Sequence, residues 1–200
     1  MSIDFRDLRG IRDLKIALLK EDTSEGLTYE TPIEFGGVAS ISSEANESSG
    51  TKYYDNGARI VTTAEGEDTY TLATSVIDDL VRSKIEGRIY DEATGMLIGT
   101  PKKRPYVAIG FVAEDTSGNE YGYWILKGKV TGGNETMITK DDGTETNGLE
   151  FNYASVYTNK KFTKGQNQPA KFTKVNLAKV DETKFFEKVT TPDDVVAKTV

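Results

Sequence analysis

Apolar and polar positions along the chain alternate mostly with a period of two, the pattern of half-buried strands. Leu14, Ile16 and Leu18 alternate with Lys15 and Ala17 and predict a strand entering a core after a charged arm at 1–13. EDTSEG at 21–26 reads as a turn, and Pro32 in TYETPIEFGG argues for an edge or irregular strand. Alternation at 38–43 is weak. EANESSGTK at 44–52 is polar, contains Gly50 and offers little apolar area to offset its ordering entropy, which predicts a long mobile loop.

Asn56-Gly57 is a turn dipeptide, since both residues tolerate the positive φ of a type I′ turn. ARIVTT then predicts a short β-branched strand, AEGED a turn, and Tyr70, Leu72 and Thr74 a second strand. Ser75 is placed to cap a helix, with Asp78 and Asp79 in the first turn, where the helix dipole favours acid. Val76, Ile77, Leu80, Val81 and Ile85 form its apolar stripe, and Gly87 ends it.

RIYDEATGMLIG reads as a hairpin or long loop, and TPKKRP as a basic turn. YVAIGFVAED has the strongest strand pattern: Val107, Ile109 and Phe111 share one face. Ala108, Gly110 and Val112 share the other, where small side chains predict close approach of a second layer. YWILKGKVTG and LEFNYASVYT are further strands, and Asp142-Gly143 between them signals a hairpin. After Asn159 the pattern loosens to one strand near Phe172 and a helical turn around Phe185 and Phe186. The pattern predicts a mainly β chain: a β-sandwich or open barrel with one flanking α-helix, a long loop and terminal arms. Its parts are an N-terminal arm at 1–13, a β domain at 14–158 and a C-terminal extension at 159–200.

Composition narrows the chemistry. The 200 residues include no Cys and no His, which excludes disulfides, thiolate and imidazole metal sites, and Ser-His-Asp triads. Net charge is -7, unsuited to general nucleic-acid binding. Residues 160–200 hold nine Lys against five Asp and Glu, so the preceding 159 residues carry -11. The start MSIDFRDLRG lacks a signal-peptide pattern and no apolar run reaches membrane-spanning length, which predicts assembly in a cytoplasm.

Candidate sites are weak. Asp78-Asp79, Asp141-Asp142 and Asp193-Asp194 are adjacent carboxylates that point in different directions. KDDGTETNGLE at 140–150 has Asp141, Gly143 and Glu145 but lacks the ligand order of a calcium loop. Tyr106, Tyr121, Tyr123 and Trp124 form either a sugar-stacking platform or ordinary core packing. Lys102, Lys103 and Arg104 either touch phosphate or cap an exposed loop.

Several segments, in order, resemble the major tail protein, the tail tube subunit, of long non-contractile tailed phages and prophages of Gram-positive bacteria. They are GIRDLKIALLKED, TPIEFGGVASIS, TKYYDNGARIVTTAEGEDTYTLATSVIDDLVRSKIEG, PYVAIGFVAED, YGYWILKGKV and ETNGLEFNYASVYT, covering roughly residues 10 to 160. The resemblance implies a β domain with a flanking helix, assembled as hexameric rings that stack head to tail around a DNA conduit in a virion tail. It implies no enzyme activity and no cofactor. Implied partners are other copies of the chain, a tape-measure protein, distal tail and tail terminator proteins, and DNA passing without sequence-specific contact. The long loop becomes the candidate ring-stacking element, represented by Glu44, Asn46, Ser49, Gly50, Lys52, Tyr53, Tyr54 and Asn56. Two other classes stay open: a carbohydrate-binding or adhesin-like β-sandwich, and a carboxylate-dependent hydrolase.

Overall fold

A computed structural model describes residues 6–135, 137, 139 and 148–198. In chain order the strands begin with β1 (Leu8–Asp22), β2 (Leu27–Tyr29), β3 (Ile33–Glu34), β4 (Val38–Tyr54) and β5 (Gly57–Thr74). Helix α1 (Asp79–Glu86) precedes a hairpin of β6 (Ile89–Asp91) and β7 (Met96–Ile98), followed by β8 (Val107–Asp115), β9 (Glu120–Glu135) and β10 (Leu149–Ser155). The chain closes with β11 (Lys161–Phe162), β12 (Gln168–Pro169), β13 (Phe172–Asn176), α2 (Glu182–Glu187) and a 3-10 turn at Pro192–Asp194.

One antiparallel sheet dominates, in the order β2-β1-β8-β9-β10-β5-β4, with β3 added to β1 and β13 to β9. β9 is long enough to hold β8 along one side and β13 then β10 along the other. The sheet curls until β4 and β1 face each other across an open cleft of about 470 Å³. Leu8, Ile11, Ile41, Phe111 and Phe172 are among the residues lining it. The fold is thus a mainly β open barrel.

Both faces of the central strands are buried. On the inner face Leu14, Ile109, Ile125, Phe151 and Tyr153 pack with Ile77 and Ile85 from the α1 region. Tyr153 is fully buried and donates its hydroxyl to the Val107 carbonyl (2.8 Å). On the outer face Ala108, Val112, Trp124 and Leu126 are covered by Phe162, Leu177, Phe185 and Phe186. The small residues of β8 allow this approach: a Cβ on Gly110 would lie 2.8 Å from the Trp124 ring. Gly122 has the same relation to Phe185.

The described part of the extension, 159–198, is therefore the second layer, and two clamps hold it. Trp124 donates Nε1–H to the Phe185 carbonyl (3.0 Å). Asp22, ion-paired with Lys127 (2.6 Å), accepts the backbone N–H groups of Asn159 and Lys160. At the other end, Leu8–Arg12 of the expected arm already pairs with Val112–Asp115 of β8, so β1 starts earlier than the apolar alternation suggests. Among the described residues there are two α-helices: the flanking one, and α2, which forms where a helical turn around Phe185 and Phe186 was expected. α2 is capped by Asp181, which accepts from Lys184 N, and it buries Phe185 and Phe186.

α1 is capped by Asp78, whose Oδ1 accepts from Leu80 N (2.8 Å), one turn later than Ser75. Val76 to Asp78 stay outside the helix, Val76 is exposed, and the Ser75 hydroxyl instead accepts from Gly37 N (3.0 Å). Gly87 ends the helix at φ 65. No side chain fits there, because a Cβ would meet the Lys103 carbonyl oxygen at 2.1 Å. The acidic and hairpin signals at Asp141, Asp142, Gly143 and Glu145 lie outside the described residues. Among the described residues no helix is long and apolar enough to cross a membrane.

Candidate assembly surface

The segment expected as a mobile loop is one side of a two-stranded ribbon. β4 and β5 run antiparallel for 17 and 18 residues, joined by a two-residue turn. The turn residues are Asp55 and Asn56, at φ 49 and 59, so the type I′ geometry is present but one residue earlier than Asn56-Gly57. Gly57 already pairs with Tyr54. AEGED does not turn the chain either: β5 runs through it, with an irregularity opposite Ala45 and Glu47. A Cβ on Gly66 would lie 3.1 Å from the Asn46 carbonyl oxygen, so a bare glycine fits best at this point.

Polarity misled the sequence reading for a physical reason. In a ribbon with solvent on both faces the ladder satisfies the inward peptide groups and water the outward ones, so no side chain needs a core. The β-branched run Ile60, Val61, Thr62 and Thr63 of β5 supplies the strand propensity that Ser48, Ser49 and Gly50 lack. The ribbon is anchored at its base, where Leu72 and Thr74 are buried and pair with Ile41 and Val38. β10 pairs β5 from Asp68 to Thr74 only.

At its base the ribbon is touched by the Tyr157 hydroxyl at Glu65 and the Lys171 ammonium at the Gly66 carbonyl (2.8 Å); beyond that point no ribbon residue is buried among the described residues. Glu44, Asn46, Ser49, Gly50, Lys52, Tyr53 and Tyr54 lie on β4 and Asn56 in the turn, all exposed. The ten steps from Glu44 to Tyr54 span about 30 Å. Tyr53 is 70% exposed, Val61 65% and Tyr54 53%, with Ile60 beside them: four large apolar side chains at the tip of a ribbon standing in solvent. Ile60 and Val61 are not among the sequence candidates, because ARIVTT reads there only as a short β-branched strand. The outer edge of β4 is not paired to any strand among the described residues and contains no proline along 17 residues. Such an edge is a template for pairing with another chain.

The other sequence candidates disperse. Trp124 has no exposed surface and its indole N–H is satisfied within the chain, so no stacking platform forms with it. Tyr121 and Tyr123 lie beneath the Lys174 ammonium, at 4.7 and 5.0 Å from the ring centres. Lys102 is tied to the buried Glu86 (2.9 Å), a carboxylate it shares with Arg88 (2.7 Å) and Arg82 (3.7 Å). Asp193 accepts from the backbone of Thr163 and Lys164, and Asp194 closes the Thr191 cap. Among the described residues no acidic group gathers three carboxylates as a metal site would.

Two titrating groups bear on the surface. Tyr157 donates its hydroxyl to Glu65 at the ribbon base, and that bond raises its pKa. Burial works to raise the Asp115 carboxyl, but donors from Asn119, Ser117 and Tyr121 outweigh it and hold the pKa at about 2. Asp115 thereby organises the turn between β8 and β9.

No protein-family model matches the chain, and no curated protein matches it.

Proposed function

We propose that this chain is a structural subunit: the tail tube protein of a long non-contractile phage tail, forming hexameric rings that stack into a conduit for DNA. The observation that carries the reading is the ribbon. A stable two-layered body projects about 30 Å of paired backbone that beyond its base is exposed on both faces among the described residues, ends in four exposed apolar side chains and leaves a long strand edge open. Ordering such an element is repaid when a neighbouring copy covers it. The segmental resemblance to tail tube subunits supplies the kind of neighbour.

In this reading the open β4 edge pairs side by side around a ring, and the ribbon reaches the next ring along the axis. No catalytic group or cofactor is required. The acidic composition suits a lumen that must let DNA slide, since retained phosphate contacts would slow its passage. The tape-measure, distal tail and terminator proteins are the remaining partners, and the virion tail is the destination. Purified protein at rising concentration, observed by negative-stain electron microscopy, is expected to show rings and tubes. A chain that remains monomeric by light scattering at all concentrations and salt conditions overturns the proposal.

A further inference from the structure

The surface around α1 and the β6–β7 hairpin carries an apolar face left exposed among the described residues. Ile89 pairs with Ile98, and Met96 lies two residues before Ile98 on β7, so all three point to one side. They are 57%, 37% and 49% exposed. Tyr90 and Leu97, on the other side, are half-buried.

The charge around this face is ordered. Residues 80–105 hold six basic and three acidic side chains. The loop that follows β7 returns to the end of α1, where the Lys103 backbone presses on Gly87. One end of the face is therefore cationic. There Arg88 and Lys102 share the single carboxylate Glu86, and Lys103 and Arg104 enter no ion pair among the described residues. The Arg88 guanidinium reaches back along the hairpin: a Cβ on Gly99 would lie 3.8 Å from its Nη1. At the other end, beside Met96, Asp91 and Glu92 form the acidic turn of the hairpin.

The ribbon carries the complementary sequence of charges. Residues 44–68 hold six acidic and two basic side chains; the two basic ones, Lys52 and Arg59, sit next to the apolar tip and outnumber the single acid there, Asp55 in the turn. The exposed acids Glu47 and Glu67 lie six to eight residues back along the stem, about 20 to 25 Å away. Laid lengthwise, the tip meets Met96 and the acidic hairpin turn while the stem meets Lys103 and Arg104.

We propose that the Ile89–Met96–Ile98 face with its basic loop is the seat for the β4–β5 ribbon of a second copy. This rests on the reading that copies stack, and it names the surface on which they do so. The contact is heterologous, since ribbon and seat are different parts of the chain, and repetition therefore propagates along an axis. Opposed charges set the register, and the apolar tip supplies the desolvated area.

The chain has no Cys, so introduced thiols are unique. Tyr54→Cys protein is mixed with Met96→Cys protein under mild oxidation, and in parallel with Leu8→Cys protein, whose thiol marks the cleft between β1 and β4. The Tyr54–Met96 cross-link is expected to exceed the Tyr54–Leu8 one about tenfold. Lys103→Glu is expected to weaken assembly about fivefold, as loss of an exposed ion pair does, and Glu47→Lys with Glu67→Lys to restore it. Tubes that form while the tip thiol cross-links to Leu8, or to neither site, overturn this seat and leave the stacking reading in place. Absence of any assembly overturns both.

Discussion

β9 and β5 are both long strands, sixteen and eighteen residues, and each is hydrogen-bonded on both sides for part of its length. Their surroundings could hardly differ more. From Trp124 to Gly128 β9 is buried at every position, with the barrel interior on one face and the C-terminal layer on the other. From Ala58 to Glu67 β5 is exposed at every position. Both keep their backbone satisfied, but only β9 gains from side-chain burial. A strand's existence thus says little about what stabilises it, and an exposed ribbon can be removed at little cost to the body.

The largest expected effect comes from opening the body. Trp124→Ala removes the ring between the sheet and α2 and takes one of the two side-chain donors from the Phe185 carbonyl, leaving the Thr190 hydroxyl. A loss of about 3–5 kcal/mol is expected in denaturant unfolding, with the extension at 159–198 becoming protease-sensitive. A Trp124→Ala protein that melts like the parent would show that the second layer is not part of the cooperative unit.

Overpacking tests the same layer from the other side. Gly110→Val forces a side chain into the Trp124 ring and is expected to cost about 1–3 kcal/mol. The matching change in the ribbon, Gly50→Val, faces mainly the Thr62 hydroxyl and is expected to shift stability by less than about 0.5 kcal/mol. Equal costs at the two glycines would erase the contrast between body and ribbon.

Acid should strike the body at Asp115. Its folded pKa is held at about 2, below the ordinary 3.8, so its contribution to stability is complete above pH 3.8 and is lost as pH falls towards 2. Asp115→Asn is expected to flatten the stability profile across that window, read by thermal melting at several pH values. An unchanged acid limb would remove Asp115 from the account.

Ribbon truncation should have the smallest effect on stability and the largest on assembly. Deleting residues 47–65 leaves Ala45 and Asp68, already partners, joined by Asn46, Gly66 and Glu67, a three-residue hairpin loop. Circular dichroism and melting temperature are expected to stay close to the parent, while tubes disappear from electron micrographs. A collapsed fold would place the ribbon in the folding core, and unchanged tubes would remove it from stacking.

The body was legible in the chain to the extent that alternation is legible. Val107, Ile109 and Phe111 against Ala108, Gly110 and Val112 announced a two-faced strand, and both faces are buried as that pattern requires. In β10 Leu149, Phe151 and Tyr153 alternate with Glu150, Asn152 and Ala154, and only the first set is buried. The ribbon was not legible, because a strand wet on both faces has no hydrophobic period to detect, and EANESSGTK then looks like a loop.

Sequence alone determined the type I′ turn chemistry around Asn56, the left-handed helix end at Gly87 and the apolar faces of β8 and β10. These depend on local backbone freedom and side-chain period, which a few neighbouring residues settle. Tertiary structure alone decided that β4 continues through its polar stretch, that residues 159–198 form a layer over Trp124, and that Lys102 turns inward to Glu86. Each of these depends on a partner outside the segment itself: β5, across the turn, for the ladder, Asp22 and Trp124 for the clamps, the end of α1 for the basic loop. No period within a single segment carries that information.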